Sequence, residues 1–397
     1  MSDSQCSFAG RIDTAHRGIA VCLGRAGTDA TASRPARGAV NANSSGRQIL
    51  IVSDTLPPDP NGIALLAFHT AGILSERAAV RVIGPAGARF SPPVAYSGVR
   101  RMPVGTPDLH LPRPAPGVIS DAVSSADRVI VHTLGPLGLI ALHYARRLGK
   151  HSTLFRHNDY PALLRYGLPS TIAAPVMDWV AGRVERWAAD AATRVVAPWG
   201  TPRDGYEVLR LAPPRYPLAA AEGRNGHITI AYHGRVSREK AVDATVRAIH
   251  AADPQHRRLR FRIIGDGSQL SSALRLATSL GVPVEHVPWC IDPRSALDGA
   301  HIYVTASRTE TFSMTTLEAI GCGLPLIARS VGQIPSYVRH GVNGLLFESD
   351  DQLPALLEAL ASDSGTRVRM AAEARASATD RTLWEQFAEA SVGAEAF

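Results

Sequence analysis

Short apolar runs recur along this chain, each bounded by glycine, proline or polar turns and each followed by a longer helical period. In the first half, residues 48–53 (Q-I-L-I-V-S), 80–83, 127–133 (D-R-V-I-V-H-T), 152–157 and 193–198 (T-R-V-V-A-P) read as buried strands. Helical periods at 63–74, 137–148 and 175–191 fill the intervals. In the second half, strand patterns at 227–234, 259–267, 284–290, 301–305 and 324–328 alternate with a helix from near Lys240 and with a short one capped by Thr315 or Thr316. That short helix ends at Gly321 and Gly323. Strand–helix alternation predicts the α/β class, doubly wound parallel sheets, in two Rossmann-like halves without an internal repeat. The first domain is set at 47–217, a small-residue linker at 218–226, and the second domain at 227–378, with terminal helices at 379–397. Residues 1–46 lack sustained periodicity and read as a poorly ordered tail.

A chain of 397 residues suits two domains, and its formal charge of +7 favours anionic partners. Nucleotide diphosphates and anionic lipid both qualify, whereas no Lys/Arg block with interleaved aromatics supports a nucleic-acid partner. Cys6, Cys22, Cys290 and Cys322 are scattered, without C-x-x-C or zinc spacing, so reduced thiols and no metal are expected. No apolar run reaches the ~18 residues of a membrane span, and a secretory leader pattern is lacking. A cytoplasmic protein is expected, able to touch a membrane surface. The helix at 175–191, with Trp179 and Trp187 beside Arg183 and Arg186, suits domain packing, or else contact with lipid.

The candidate chemistry centres on residues 307–330, S-R-T-E-T-F-S-M-T-T-L-E-A-I-G-C-G-L-P-L-I-A-R-S. Glu310 stands at the mouth of the loop, free N–H groups near residues 313–315 open a helix, and Glu318 lies about one turn inside it. A helix start favours negative charge. One acid at the rim, an anion seat and a second acid behind it suit a sugar, a diphosphate and a ribose. Elsewhere, Pro57, Pro58 and Pro60 extend a loop before Asn61 and Gly62, where glycine permits close backbone approach to a ligand. A plain αL turn at Asn61 and Gly62 is the alternative for that loop. It lacks the G-x-G-x-x-G of a nicotinamide site, and so does the G-D-G of Gly265, which has Leu270 at the third glycine place. Arg235 and Lys240 would reach one phosphate from two directions.

The E-x7-E of Glu310 and Glu318, with T-E-T-F-S around the first acid and G-C-G-L-P after the second, resembles the nucleotide-sugar signature of the family 4 glycosyltransferases. P-P-D-P-N-G-I-A and R-H-N-D-Y-P-A-L-L-R-Y-G resemble motifs of the lipid mannosyl-, galactosyl- and sulfoquinovosyltransferases within that family. G-R-V-S-R-E-K-A resembles its G-R-L-x-x-E-K-N, with Ala241 in place of Asn or Gly. The resemblance runs over about residues 48–397. It implies the GT-B fold, two facing domains with a cleft between them, and a retaining transfer of a hexose from a nucleotide diphosphate sugar to a hydroxyl acceptor. No further cofactor or metal is implied. In the roles it implies, Arg235, Lys240 and backbone at Gly62 and 313–315 take up diphosphate charge, Glu310 orients sugar hydroxyls, Glu318 holds the ribose diol and His157 meets the donor sugar. Gly234, Gly265, Thr311, Phe312, Ser313, Met314 and Thr315 complete the donor side, and Asn61, Asp159 and Tyr160 the acceptor side. A terminal helix would cross back to the first domain. The resemblance weakens at the hinge, where Trp199 and the run L-A-P-P-R-Y-P at 211–217 depart from the pattern, and Pro288 stands where relatives carry glycine. An epimerase or hydrolase of the same architecture, and a non-catalytic binding protein, are the competing readings.

Overall fold

The computed structural model describes residues 47–59, 61–91, 93–103, 110–157, 174–197, 205–216, 226–289 and 292–393. The tail at 1–46, the linker positions 218–225 and the candidates Asp159 and Tyr160 lie outside them.

Strand β1 (Gln48–Val52) founds the first domain. Ile51 faces one core and Leu50 and Val52 the other, so the strand is apolar throughout rather than alternating. Around it run β2 (Ala79–Pro85), β3 (Ala95–Val99), β6 (Arg128–Val131), β7 (His151–Phe155), β8 (Arg194–Ala197) and β9 (Tyr206–Val208). They form one parallel sheet in the order β3-β2-β1-β6-β7-β8-β9. A small antiparallel pair, β4 (Arg101–Pro103) and β5 (His110–Pro112), stands apart. The helices Pro116–Ser125, Pro136–Arg147 and Ala174–Ala191 cover one face of the sheet, and Gly62–Leu74 and Leu383–Val392 the other.

The second domain holds β10 (Ile228–His233), β11 (Leu259–Ile264), β12 (Val284–Val287), β13 (Ile302–Thr305), β14 (Leu326–Arg329) and β15 (Gly344–Phe347). This sheet is also parallel, ordered β12-β11-β10-β13-β14-β15. The chain is therefore two Rossmann-like α/β domains.

Several described elements lie outside the sequence expectation, and three in the first domain show why. The first sheet does not end at residues 193–198, because β9 adds another strand. β3 reads A-Y-S-G-V and buries only Val99, so no apolar run announces it. The helix Pro116–Ser125 buries only Ile119, Ala122 and Val123, a stripe too short to register as a period.

The chain passes between domains through the segment whose sequence departs from the family pattern. Arg215 N–H donates to the Thr379 carbonyl at 2.7 Å, Thr379 N–H to Pro213 at 2.8 Å and Tyr216 N–H to Gly321 at 3.0 Å. Gln386 brackets Ala212, accepting its N–H at 2.8 Å and donating to its carbonyl at 3.0 Å. Pro213 and Pro214 lack N–H groups, so the bonds fall on their neighbours. The last helix, Leu383–Val392, opens with a capping box of Thr382 and Glu385. It then lays Leu383, Phe387 and Val392 into the first domain's core, with Trp384 stacked on His69 at 4.6 Å.

Candidate active site

The turns after β10 and β11 pack backbone against backbone. Gly234 and Gly265 have φ of +146° and +128°, and a Cβ on Gly265 would lie 2.1 Å from the Gly234 carbonyl oxygen. Glycine is required here both for conformation and for space. Beyond Gly234 the chain makes a 3-10 turn, Arg238–Lys240, before the helix Val242–Ala252, so the helix starts two residues later than read from the sequence. The hinge between turn and helix is Ala241, at φ 49° and ψ 45° in the left-handed region. The Asn or Gly of the family motif suits that conformation, and alanine does not. Ala241→Gly should raise stability by about 1 kcal/mol, read as a higher midpoint in thermal unfolding. A lowered midpoint would contradict the strain.

This turn carries the two expected cations, each held by a carboxylate. Arg235 donates to Glu239 Oε1 at 2.6 Å, and Ser237 Oγ donates to the same oxygen at 2.6 Å. Burial works to raise the Glu239 pKa, but Arg235 and the Ser237 hydroxyl hold it below the usual carboxylate range. Lys240 Nζ donates to Glu310 Oε1 at 2.8 Å, joining this turn to the central loop.

The loop carrying Glu310 and Thr311 lies on the turn at Gly332, where a Cβ would stand 2.1 Å from the Glu310 carbonyl oxygen. Gln333 N–H donates to the Thr311 carbonyl at 3.0 Å. The helix Met314–Gly321 follows, and its N-cap is Ser313 in the left-handed region, not Thr315 or Thr316. Those hydroxyls are engaged otherwise: Thr315 accepts from the Tyr303 hydroxyl at 3.0 Å, and Thr316 pairs with Ser313 Oγ at 2.8 Å. Thr316 and Leu317 N–H groups donate to the Ser313 carbonyl, while those of Met314 and Thr315 take no acceptor among the described residues.

Opposite them stands the start of the helix Gly62–Leu74 in the first domain. Asn61 caps it in an extended conformation, φ −145°, rather than as an αL turn, accepting from Ala64 N–H at 2.9 Å. Its amide donates to Thr55 Oγ1 at 2.8 Å, so the side chain proposed for the acceptor side serves the loop's own structure. A Cβ on Gly62 would be 3.4 Å from Met314 Cε, so the Met314 side chain reaches from one helix start to the other, across the two domains.

Glu318 is buried one turn into the Met314–Gly321 helix. Burial, with Asp292 adding its charge, pushes its pKa from 4.5 up to about 8. His233 Nδ1 stands 3.9 Å from Glu318 Oε2, beyond hydrogen-bond length. Burial and Glu318 also push up the Tyr216 hydroxyl and the Cys322 thiol, which places both near the acid. An acid whose folded pKa is raised binds more protons folded than unfolded between the two values. Its contribution is intact below pH 4.5 and is lost as pH rises through about 8. The ligand-free protein should therefore lose thermal stability across that window, and Glu318→Gln should flatten the slope. An unchanged slope would remove Glu318 as its source.

His157 follows β7, buried against aromatic rings. It stacks on Phe155 with centroids 5.4 Å apart and meets Phe387 at 5.9 Å and Phe312 of the central loop at 6.5 Å. His157 Nε2 lies 3.0 Å from Nδ1 of His132, which is wholly buried. Burial holds the His132 pKa down at about 3 and, with His132 alongside, keeps His157 well below 6.5. Sequence reading left His132 inside a strand pattern. The usable signal was that β6 and β7 are parallel neighbours, which brings the residues after them together.

The described residues thus bring Gly62, Arg235, Lys240, Glu310, Thr311, Phe312, Ser313, Met314, Thr315, Glu318 and His157 to the facing edges of the domains. Among the described residues, no three His, Cys, Asp or Glu side chains gather as metal ligands would, and no helix is long and apolar enough to cross a membrane.

Comparison with known proteins agrees with this architecture. Residues 227–363 match the family model described as glycosyl transferases group 1. A D-inositol 3-phosphate glycosyltransferase of Xylanimonas cellulosilytica is 33% identical over 41% of this chain and 40% of its own length. The chain spans 32% and 58% of two further curated relatives of that description. A GDP-mannose-dependent alpha-mannosyltransferase of Mycobacterium tuberculosis is 26% identical over 85% of this chain and 93% of its own. Among solved structures, Anabaena HepE in complex with UDP and glucose aligns over 86% of this chain and 98% of its own, with a TM-score of 0.65 at 16% identity. Residues 227–363 thus match the group 1 glycosyl transferases, and the chain carries the two-domain GT-B fold of the solved glycosyltransferases.

Proposed function

We propose that the protein is a retaining glycosyltransferase that moves a hexose from a nucleotide diphosphate sugar to a hydroxyl acceptor. The observation that carries this is the approach of two helix starts, bridged by the Met314 side chain at Gly62, together with the Lys240–Glu310 pair on the same central loop. Orphan N–H groups and helix dipoles suit a diphosphate at that place. As the sugar–phosphate bond breaks, negative charge grows on the leaving phosphate. Lys240, Arg235 and the N–H groups of Met314 and Thr315 would stabilise it as it forms. Once Lys240 turns to phosphate, Glu310 is released to accept bonds from sugar hydroxyls. Glu318 would take both hydroxyls of the ribose, which favours its ionised form. The leaving phosphate oxygen would remove the acceptor's proton on the same face of the sugar.

The relatives' names set the donor panel: UDP- and GDP-sugars first, since one neighbour holds UDP with glucose and one relative is named for GDP-mannose. The outer face of the first domain favours an acceptor at a lipid surface. On the helix Ala174–Ala191, Trp179 is 61% and Val176 59% exposed, with Arg183 over the Trp179 ring at 5.2 Å. Tryptophan and arginine side by side suit a membrane interface. The test incubates the protein with labelled UDP-, GDP-, ADP- and TDP-sugars, with and without a lipid extract or inositol 3-phosphate. Nucleoside diphosphate release that requires an acceptor, with label in the acceptor, is the expected result. Release or isomerised sugar without acceptor would favour a hydrolase or epimerase. No turnover of any donor would contradict the proposal.

A further inference from the structure

We infer that His132 is a positioning residue that fixes His157 as the tautomer protonated on Nδ1, so that His157 offers a hydrogen-bond donor at the domain edge. The two imidazoles share one contact, His132 Nδ1 to His157 Nε2 at 3.0 Å, with rings 10° from parallel. A bond between two neutral imidazoles needs one donor and one acceptor, so only two arrangements exist. In the first, His132 carries its proton on Nδ1 and donates it, and His157 must then carry its own on Nδ1. In the second, His157 donates from Nε2, and the His132 proton sits on Nε2.

The surroundings choose between them. His132 Nε2 is buried with no hydrogen-bond partner. The second arrangement strands an N–H there, whereas the first leaves only a lone pair. Buried N–H groups without an acceptor are the rarer case in proteins, and lone pairs without a donor are better tolerated. The ring planes cannot turn to escape, because Phe155 stacks on His132 at 5.1 Å and on His157 at 5.4 Å. Phe312 and Phe387 pack against the His157 ring as well, at 6.5 and 5.9 Å. The first arrangement therefore holds, and His157 Nδ1–H, which no described residue accepts, is the group left to meet a ligand oxygen. A hydroxyl or phosphate oxygen accepts such a bond, and a cation does not. What that oxygen belongs to rests on the transferase reading, but the tautomer does not.

The test is a long-range proton–nitrogen correlation spectrum of the ligand-free protein labelled with nitrogen-15 in histidine. The expected result is a protonated Nδ1 and a bare Nε2 on both residues. A protonated Nε2 on His157 would overturn the inference whether or not the protein transfers sugar. For function, His132→Phe keeps the ring stack and removes the bond. With a consumed donor in hand, it should lower kcat by about ten- to a hundredfold while UDP or GDP alone still binds as to wild type. An unchanged kcat would overturn the positioning role even if the tautomer stands. If no donor is consumed at all, the transferase reading fails and the spectrum still decides the tautomer.

Discussion

Replacing Lys240 with alanine should lower kcat/KM for the nucleotide-sugar donor by about 10²–10³-fold, the usual cost of losing one preorganised donor to developing charge. The structure ties the Lys240 ammonium directly to the central loop, through Glu310 Oε1 at 2.8 Å. Its side chain is 22% exposed and that of Glu310 only 9%, so the pair sits where water screens weakly. The substitution also strands the Glu310 carboxylate, an effect on folding distinct from that on chemistry. Glu310→Gln alone and the double variant separate the two. If the stranded acid is what costs folding, the double variant recovers the unfolding midpoint while activity stays low. A steady-state comparison in which Lys240→Ala retains activity within about fivefold would remove Lys240 from the charge-stabilising role.

Gly321→Ala should destabilise the fold by about 3 kcal/mol, at the upper end for overpacking. Its added Cβ would lie 1.8 Å from the Pro214 carbonyl oxygen and 3.3 Å from Tyr216. The neighbour is backbone, and it cannot easily retreat. Pro213 and Arg215 on either side are bonded to Thr379, and Tyr216 N–H to Gly321 itself. The same glycine ends the helix that carries Glu318, so the damage should reach donor affinity as well as the unfolding midpoint. Gly117→Ala, where nothing lies within 4 Å of an added Cβ, is the control. Equal midpoints for the two variants would mean that the crossing segment is looser than described.

The sheets were readable because their strands are buried on both faces. Runs such as Q-I-L-I-V and L-R-F-R-I-I need no tertiary information to be seen. The edge strand β3 was not, since an edge has one solvated side and A-Y-S-G-V can be half polar. The central loop showed its chemistry in one local stretch, with Glu310, the helix start and Glu318 close in sequence. The cap was misplaced although Ser313 is at least as good a capping residue as either threonine, whose hydroxyls are engaged otherwise, Thr315 by Tyr303 and Thr316 by Ser313. Local propensity likewise could not show that Asn61 would spend both polar atoms on its own loop. Nor could it pair His132 with His157, which are 25 residues apart and meet only through the order of strands. The replaced hinge motif was legible as a departure, but its consequence was not. L-A-P-P-R-Y is held by partners at residues 321, 379 and 386, far along the chain.

The central claim is that a nucleotide diphosphate sits between the two helix starts and is held by Lys240. A thermal-shift panel of UDP, GDP, ADP and TDP on wild type and Lys240→Ala tests it most directly. A ligand present at a hundred times its dissociation constant stabilises the fold by about 2.7 kcal/mol, which raises the midpoint visibly. The account predicts that one nucleotide diphosphate raises the wild-type midpoint and that Lys240→Ala loses most of that rise. A folded wild type that no nucleotide stabilises, or a variant stabilised as fully as wild type, would contradict it.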